Sequence, residues 1–218
     1  MSKIRGFIFD LDGVIVDTAK YHYLAWKRLA NSLGFDLTPE QNELLKGVSR
    51  MASLDIVLDI GAVKADGAHR QVYAEMKNTW YVEYILQMKR DEILPNADFF
   101  VECARASGLL TAIGSASKNT GTILGLLGVT HLFNAVVDGT KTNLAKPDPE
   151  VFLLAARELG LDPGECVVFE DAEAGVQAAK AGGMRCVGIG KPELLRQADV
   201  VIRSFSGVLP ETILLQLA

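Results

Sequence analysis

Short apolar runs recur along the chain, each ending in small or polar residues. They are Ile4–Phe9, Leu109–Ile113, Cys166–Phe169 and Arg185–Ile189, with shorter runs at Ala135–Val137 and Val200–Ile202. Short, mainly apolar runs of this kind suit strands covered on both faces, and the segments between them carry helical patterns. The pattern predicts an α/β fold with a doubly wound parallel sheet, Rossmann-like in its layering. Helix punctuation agrees. Asp148-Pro149 reads as an N-cap followed by proline at the first helical position, opening Glu150–Leu159, which Gly160 closes. A further helix follows Asp171 and runs to about Ala181, where Gly182-Gly183 stops it.

The stretch from Asp17 to Arg90 breaks this alternation, because it has helical periodicity and almost no strand pattern. Tyr21, Ala25 and Leu29 share one helical stripe, with Trp26 and Leu33 beside it. Thr38-Pro39-Glu40 starts a second helix, and further helical patterns run through Ser53–Leu58 and His69–Met88. A helical block of roughly 70 residues far exceeds what a strand-to-strand crossover needs. The expected organisation is therefore an α/β core of residues 1–16 and 93–218, interrupted by a helical domain of residues 17–92.

Composition narrows the function classes. Of 218 residues 49% are apolar and the formal net charge is −5, which argues against a general nucleic-acid or membrane-surface binder. No apolar run approaches the roughly 18 residues that cross a bilayer. Asp10 and Asp12 interrupt the first apolar run too early for a secretory signal. Cys103, Cys166 and Cys186 are too far apart for a metal-binding pair and read as free thiols in a reducing compartment. A cytoplasmic monomer is expected.

The chemistry gathers at the ends of the strand-like runs. Ile4–Phe9 leads into Asp10-Leu11-Asp12-Gly13, and Cys166–Phe169 leads into Glu170-Asp171. Ligands of open α/β sheets collect at the carboxyl ends of strands. Acids this close repel one another unless a cation stands among them, and a hard divalent ion would take their oxygens. A lone pair such as Asp10 and Asp12 could instead form a solvated Asx turn, and Glu170-Asp171 could simply cap the following helix. Capping explains one acid rather than two pairs at matching strand ends. Leu109–Gly114 ends in Ser115-Ala116-Ser117-Lys118-Asn119, small and hydroxyl residues suited to cradling phosphate at a helix start. Lys146, just before another helix, could supply a fixed positive charge. Taken singly, these residues read as helix caps and a surface lysine; together they point to a phosphate site.

The order DxDG, a strand ending in serine, Lys-Pro, and a strand ending in Glu-Asp resembles the haloacid dehalogenase superfamily, and the helical block resembles its α-helical cap. Within that superfamily the chain is similar to the β-phosphoglucomutase family. The segments carrying this likeness are Phe9–Ile15, Asp17-Thr18, Tyr21-His22, Ala25-Trp26, Leu45–Arg50, Lys77-Asn78 and Ser115–Asn119. Two positions depart: Asn96 stands where relatives often carry glycine after the hinge proline, and Ala172 where they often carry serine.

The resemblance implies that Asp10 is a nucleophile forming an aspartyl-phosphate and Asp12 the general acid/base. It implies Mg²⁺ held by Asp10, the Asp12 carbonyl, Glu170 and Asp171, with Ser115 and Lys146 holding the phosphoryl group in transit. A second phosphate and its sugar would fall to His22, Trp26, Lys46, Gly47, Val48, Ser49, Arg50 and Lys77, together with Ser117, Lys118 and Asn119. His22 and Trp26 read alone as core packing residues. Thr18 is the implied hinge, and closure of the cap would keep water from the aspartyl-phosphate. The implied reaction interconverts β-glucose 1-phosphate and glucose 6-phosphate, primed by β-glucose 1,6-bisphosphate. A magnesium-dependent sugar-phosphate phosphatase shares every core residue and is the alternative. A phosphosugar-binding regulator without catalysis is disfavoured by the intact acids.

Overall fold

The computed structural model describes residues 3–45 and 49–218. Six strands form one sheet: β1 (Gly6–Phe9), β2 (Leu110–Gly114), β3 (Ala135–Val137), β4 (Cys166–Glu170), β5 (Arg185–Ile189) and β6 (Val200–Ile202). Their order is β3-β2-β1-β4-β5-β6, and all five pairings are parallel. The doubly wound parallel sheet is thus as the apolar runs indicated. The first strand starts at Gly6 rather than Ile4, although Arg5 still donates its N–H to the Glu165 carbonyl.

Two compact units make up the chain, residues 1–17 with 89–218, and residues 18–88. The second is helical: α1 (Ala19–Ser32), α2 (Pro39–Asn42), α3 (Arg50–Ile60) and α4 (Gly67–Ile85). Thr38 caps α2 in a reciprocal box with Gln41, as its Thr-Pro start foretold. The core of this unit is Trp26, Leu29, Ala30, Leu37, Leu54 and Val57. The division after Met88 falls short of the expected residue 92. Arg90 belongs to the α/β unit, pairing with Asp98 at 2.9 Å and donating to the Leu127 carbonyl at 3.5 Å.

Helices α5 (Ala97–Ala106), α6 (Thr120–Leu127), α7 (Glu150–Leu159), α8 (Glu173–Ala181) and α9 (Pro210–Gln216) complete the α/β unit. Alternation along β1 sets its two cores. Ile8 joins Val168, Val151, Phe152 and Val176, the face that α7 and α8 cover. Phe7 and Phe9 point the other way into an aromatic cluster. There Phe9 stacks on Phe169 at 4.7 Å between centroids, and Phe100 lies 4.5 Å from Phe205. Such ring pairs add about 0.5–1.5 kcal/mol each beyond their area burial.

One local expectation is corrected. Helix α7 begins at Glu150 with Pro149 in the capping position, so the proline is not its first helical residue. Asp148 still caps, accepting the Glu150 N–H at 2.9 Å. Asn96 takes a left-handed conformation, φ 63° and ψ 13°, just ahead of α5. Asparagine tolerates that region better than most side chains, which accounts for its standing in a glycine's place.

Candidate active site

Strand register assembles the first half of the site. Phe9 pairs with Ile113 on one side and Phe169 on the other, so the next residue, Asp10, comes level with Gly114 and Glu170. The Asp10 N–H continues the ladder to the Phe169 carbonyl at 2.9 Å, leaving its side chain at the sheet's carboxyl end. The chain then folds back sharply. Val16 donates to the Leu11 carbonyl at 3.1 Å, Gly13 donates to that of Val16 at 2.8 Å, and Gly13 has φ +73°.

Two glycines make room for two acids. A methyl group built on Gly13 would overlap the Asp171 carboxylate, and one on Gly175 would overlap that of Glu170. Glycine at 13 therefore serves both the turn and the approach of β4's acidic tip to the loop carrying Asp12.

Lys146 binds the strand tips together. Its Nζ lies 2.6 Å from Asp10 Oδ1 and 2.5 Å from Glu170 Oε1, with the Phe152 ring centroid 4.6 Å away. Glu170 uses its other oxygen to accept the Ala172 N–H at 2.9 Å. Ala172 opens α8 without a side-chain cap of its own. Burial alone would lower the Lys146 pKa, but Asp10 and then Glu170 reverse this and raise it, so the ammonium stays charged. For Glu170, burial raises the pKa, with Lys146 opposing and Asp10 assisting.

Asp171 has no such partner among these contacts. It keeps an exposed edge, yet its crowded position desolvates it, and the charges of Glu170, Asp10 and Asp12 add to that effect. Together they push its carboxyl up to about 8 against the pull of Lys146. Among the described residues no three His, Cys, Asp or Glu side chains converge as a ready-made metal cage, because Asp10 and Glu170 are both drawn to Lys146. The donor set nonetheless fits a hard divalent cation, since Asp10, Glu170 and Asp171 bring three carboxylates together and Lys146 contacts only two of them.

The loop after β2 is braced by its own serines. Ser115 is buried, and its Oγ accepts the Ser117 N–H at 3.1 Å. Ser117 Oγ in turn accepts the Asn119 N–H at 3.2 Å. Lys118 is exposed beside them. A cavity of about 250 Å³ opens at the same end of the sheet, with Gly13, Asp171, Gly190, Arg203 and Ser204 in its wall.

The helical unit holds a second constellation. His22 and Trp26 are one turn apart on α1, as are Lys77 and Tyr81 on α4. Lys77 is 2% exposed; its Nζ lies 2.9 Å from His22 Nδ1 and 4.7 Å from the ring centroids of both Trp26 and Tyr81. Burial, then the charges of Lys77 and Arg50, hold the His22 pKa well below 6.5. Ser49 caps α3, accepting the Ala52 N–H at 3.3 Å, and half-buried Arg50 is its first residue. Thr18 is buried at the head of α1, where its carbonyl accepts the N–H groups of Tyr21 and His22. Lys46, Gly47 and Val48 lie outside the described residues.

Asp10, Glu170 and Lys146 thus come into direct contact, with Asp171 against Gly13, while His22, Trp26, Lys77 and Arg50 share the other unit. Sequence reasoning did not single out Tyr81, Phe152 or Gly175. Tyr81 and Phe152 look like ordinary stripe residues, and a helical glycine gives no sign of the carboxylate behind it.

A family model described as haloacid dehalogenase-like hydrolase matches residues 4–183, spanning both acidic strand tips, Lys146 and the helical unit. The chain belongs to that family.

This haloacid dehalogenase-like hydrolase is 38% identical over 205 residues to a β-phosphoglucomutase of Bacillus subtilis (strain 168), covering 93% of the chain and 91% of the relative. A crystal structure of β-phosphoglucomutase from Clostridium difficile superposes with a TM-score of 0.91 at 39% identity, covering 98% and 96% of the two chains. Phosphatases are similar as well. A fructose-1-phosphate phosphatase of Escherichia coli (strain K12) is 32% identical over 189 residues, 86% of the chain and 97% of the relative. No helix among the described residues of this family member is long and apolar enough to cross a membrane.

Proposed function

We propose that the protein is a magnesium-dependent β-phosphoglucomutase, interconverting β-glucose 1-phosphate and glucose 6-phosphate through an aspartyl-phosphate. The observation that carries this reading is the pairing of two charge patterns in one chain. Carboxylates with Lys146 form one, and His22, Lys77 and Arg50 form the other. A phosphatase must bind one phosphate, whereas a mutase must hold a second while the first is exchanged. The similarity to two β-phosphoglucomutases over nearly the whole chain supports the same reading.

In this scheme an Asp10 oxygen attacks phosphorus, forming the acyl-phosphate bond as the phosphorus–oxygen bond to the donor breaks. Asp12 protonates the departing oxygen, then takes the proton from the incoming sugar hydroxyl. Lys146 and Ser115 hold the phosphoryl oxygens in transit, whereas Ser117, Lys118 and Asn119 are assigned to the second phosphate. Asp10, the Asp12 carbonyl, Glu170 and Asp171 would hold Mg²⁺, which supplies Lewis-acid charge neutralisation at the phosphoryl group when bound. Arg50 offers a planar fork for the second phosphate, and Lys77 a positive charge. Neutral His22 supplies a hydrogen-bonding edge for the sugar, with Trp26, assigned to the same subsite, buried in the core of the helical unit one turn away. Lys46–Ser49 are assigned to the same subsite and Thr18 to the hinge. β-Glucose 1,6-bisphosphate would charge Asp10 at the outset, and the three free thiols fit a cytoplasmic setting.

A sugar-phosphate phosphatase is the second reading, favoured by the similarity to the Escherichia coli fructose-1-phosphate phosphatase. One assay separates them: β-glucose 1-phosphate is supplied with magnesium and a trace of the bisphosphate. Glucose 6-phosphate formed without matching release of inorganic phosphate supports the mutase. Stoichiometric phosphate with no isomer establishes the phosphatase.

A further inference from the structure

Lys146 reaches its two carboxylates from the loop between β3 and α7, which no sheet ladder holds in place. Its distances of 2.6 Å to Asp10 and 2.5 Å to Glu170 nevertheless demand a fixed backbone. At the loop's start, Lys141 Nζ donates to the Val136 carbonyl at 2.7 Å and to Glu158 at 2.9 Å. Closer to Lys146, one carboxylate does the holding. Glu150 Oε2 accepts the N–H of Asn143 at 2.8 Å and that of Leu144 at 2.6 Å, while the Asn143 amide reaches Oε1 at 3.5 Å. The Glu150 N–H donates to Asp148 Oδ1, and the Asp148 N–H to the Ala145 carbonyl at 3.0 Å. Residues 144 to 150 are thereby closed into a ring that contains Lys146.

Hydrogen bonds from backbone N–H groups to a carboxylate are charge-assisted and shorter than neutral ones. Consistently, the N–H groups of Leu144 and then Asn143 hold the Glu150 carboxyl below the ordinary range. An acid in a helix's first turn also interacts with the helix dipole, but that effect would contribute stability alone and would not depend on Lys146.

We propose that Glu150 is a positioning residue for phosphoryl transfer: its carboxylate clamps the backbone at Asn143 and Leu144 and so sets where the Lys146 ammonium stands between Asp10 and Glu170. The proposal rests on the reading of Lys146 as part of the phosphoryl site. Glu150→Ala frees the two N–H groups, whereas Glu150→Gln keeps a carbonyl oxygen that can accept both.

The test compares kcat and KM of Glu150→Ala, Glu150→Gln, Lys146→Met and the Ala/Met double variant, alongside the acetylation rate of Lys146 followed by mass spectrometry. Glu150→Ala is expected to lower kcat by about ten- to a hundredfold, the scale of small misplacements in a site, with KM changing far less. The Gln variant recovers most of that loss. In the Lys146→Met background the Ala substitution costs less than about twofold, because the group it positions is gone. Lys146 is acetylated several-fold faster in the Ala variant than in wild type or Gln. Equal losses in both backgrounds, or an unchanged acetylation rate, overturn the clamp. A Lys146→Met enzyme with wild-type turnover would instead sink the phosphoryl-site reading, leaving acetylation to judge the clamp by itself.

Discussion

Lys77 Nζ lies 2.9 Å from His22 Nδ1, and this bond decides the state of the imidazole. An ammonium can only donate, so Nδ1 is the acceptor and the ring is neutral with its proton on Nε2. Burial and the neighbouring charges of Lys77 and Arg50 favour the same form. In the unfolded chain histidine returns to about 6.5.

That difference makes the helical unit acid-sensitive. Its folded pKa is depressed, so the stability is fully present above about pH 6.5 and falls as pH drops below that, where only the unfolded chain takes the proton. Relative to His22→Gln, wild type should lose about 1 kcal/mol between pH 7 and pH 5.5. Both tryptophans, Trp26 and Trp80, lie in the helical unit, so their fluorescence during urea unfolding reports this directly. Parallel pH dependence in the two proteins would refute the assignment.

Gly13→Ala meets two obstacles together: a left-handed backbone at φ +73°, and the Asp171 carboxylate in the space of the new methyl. The conformational part costs about 1–2 kcal/mol. Displacing Asp171 should lower kcat by about a hundredfold. Gly175→Ala is the control. It lies within α8 at an ordinary helical φ, and its nearest obstacle is the Glu170 carboxylate, so it should lose activity with a smaller fall in melting temperature than Gly13→Ala.

How much of this was legible in the sequence depends on what each residue answers to. The strands were readable because parallel strands buried on both faces are mainly apolar runs, and the acidic tips stood out as the polar residues ending them. The helical insertion was legible from its periodicity. What could not be read was side-chain direction: nothing in the order of residues says that Lys146 turns onto both Asp10 and Glu170. Nor does it say that the Glu170 carboxylate would serve Ala172 in the absence of a capping side chain. Glu150 was legible only as the start of a helix, because its side-chain partners lie in an irregular loop that no periodicity describes.

Asp10→Asn removes the nucleophile with almost no change in shape. The amide can still meet Lys146, by way of its carbonyl oxygen, so the fold should persist with an unchanged circular dichroism spectrum. Turnover should fall by at least about 10⁴-fold, the scale seen when a triad member is removed from other enzymes with covalent intermediates. Mutase activity within tenfold of wild type would defeat the covalent scheme.

Magnesium should stabilise the protein in the absence of any sugar phosphate. Lys146 pairs with Asp10 and Glu170 only, while burial and the charges of Glu170, Asp10 and Asp12 push the Asp171 carboxyl up to about 8. A cation bound only by the folded state adds about 2.7 kcal/mol when present at a hundred times its dissociation constant. Thermal unfolding with 10-fold steps of MgCl₂ should therefore show a rising midpoint in wild type and a much smaller rise in Asp171→Asn. A flat response in wild type would remove magnesium from the proposed scheme.

Arg50→Ala separates the two proposed phosphate sites. Arg50 begins α3, in the same unit as Lys77 and His22, and it is half-buried with its pKa lowered by desolvation. An arginine that gives up hydration at such a position is suited to grip an anion bidentately. If it holds the second phosphate, its loss leaves Asp10, Asp12 and Lys146 able to form and hydrolyse the aspartyl-phosphate. It deprives the bisphosphate of the contact that keeps it bound long enough to turn. Isomerisation should then fall by about a hundredfold, equivalent to roughly 2.7 kcal/mol, while slow release of inorganic phosphate from the bisphosphate continues. Coupled assays for glucose 6-phosphate and for phosphate on the same samples measure both. If the two rates decline together, Arg50 supports the fold or the chemistry as a whole, and the second-phosphate assignment is wrong.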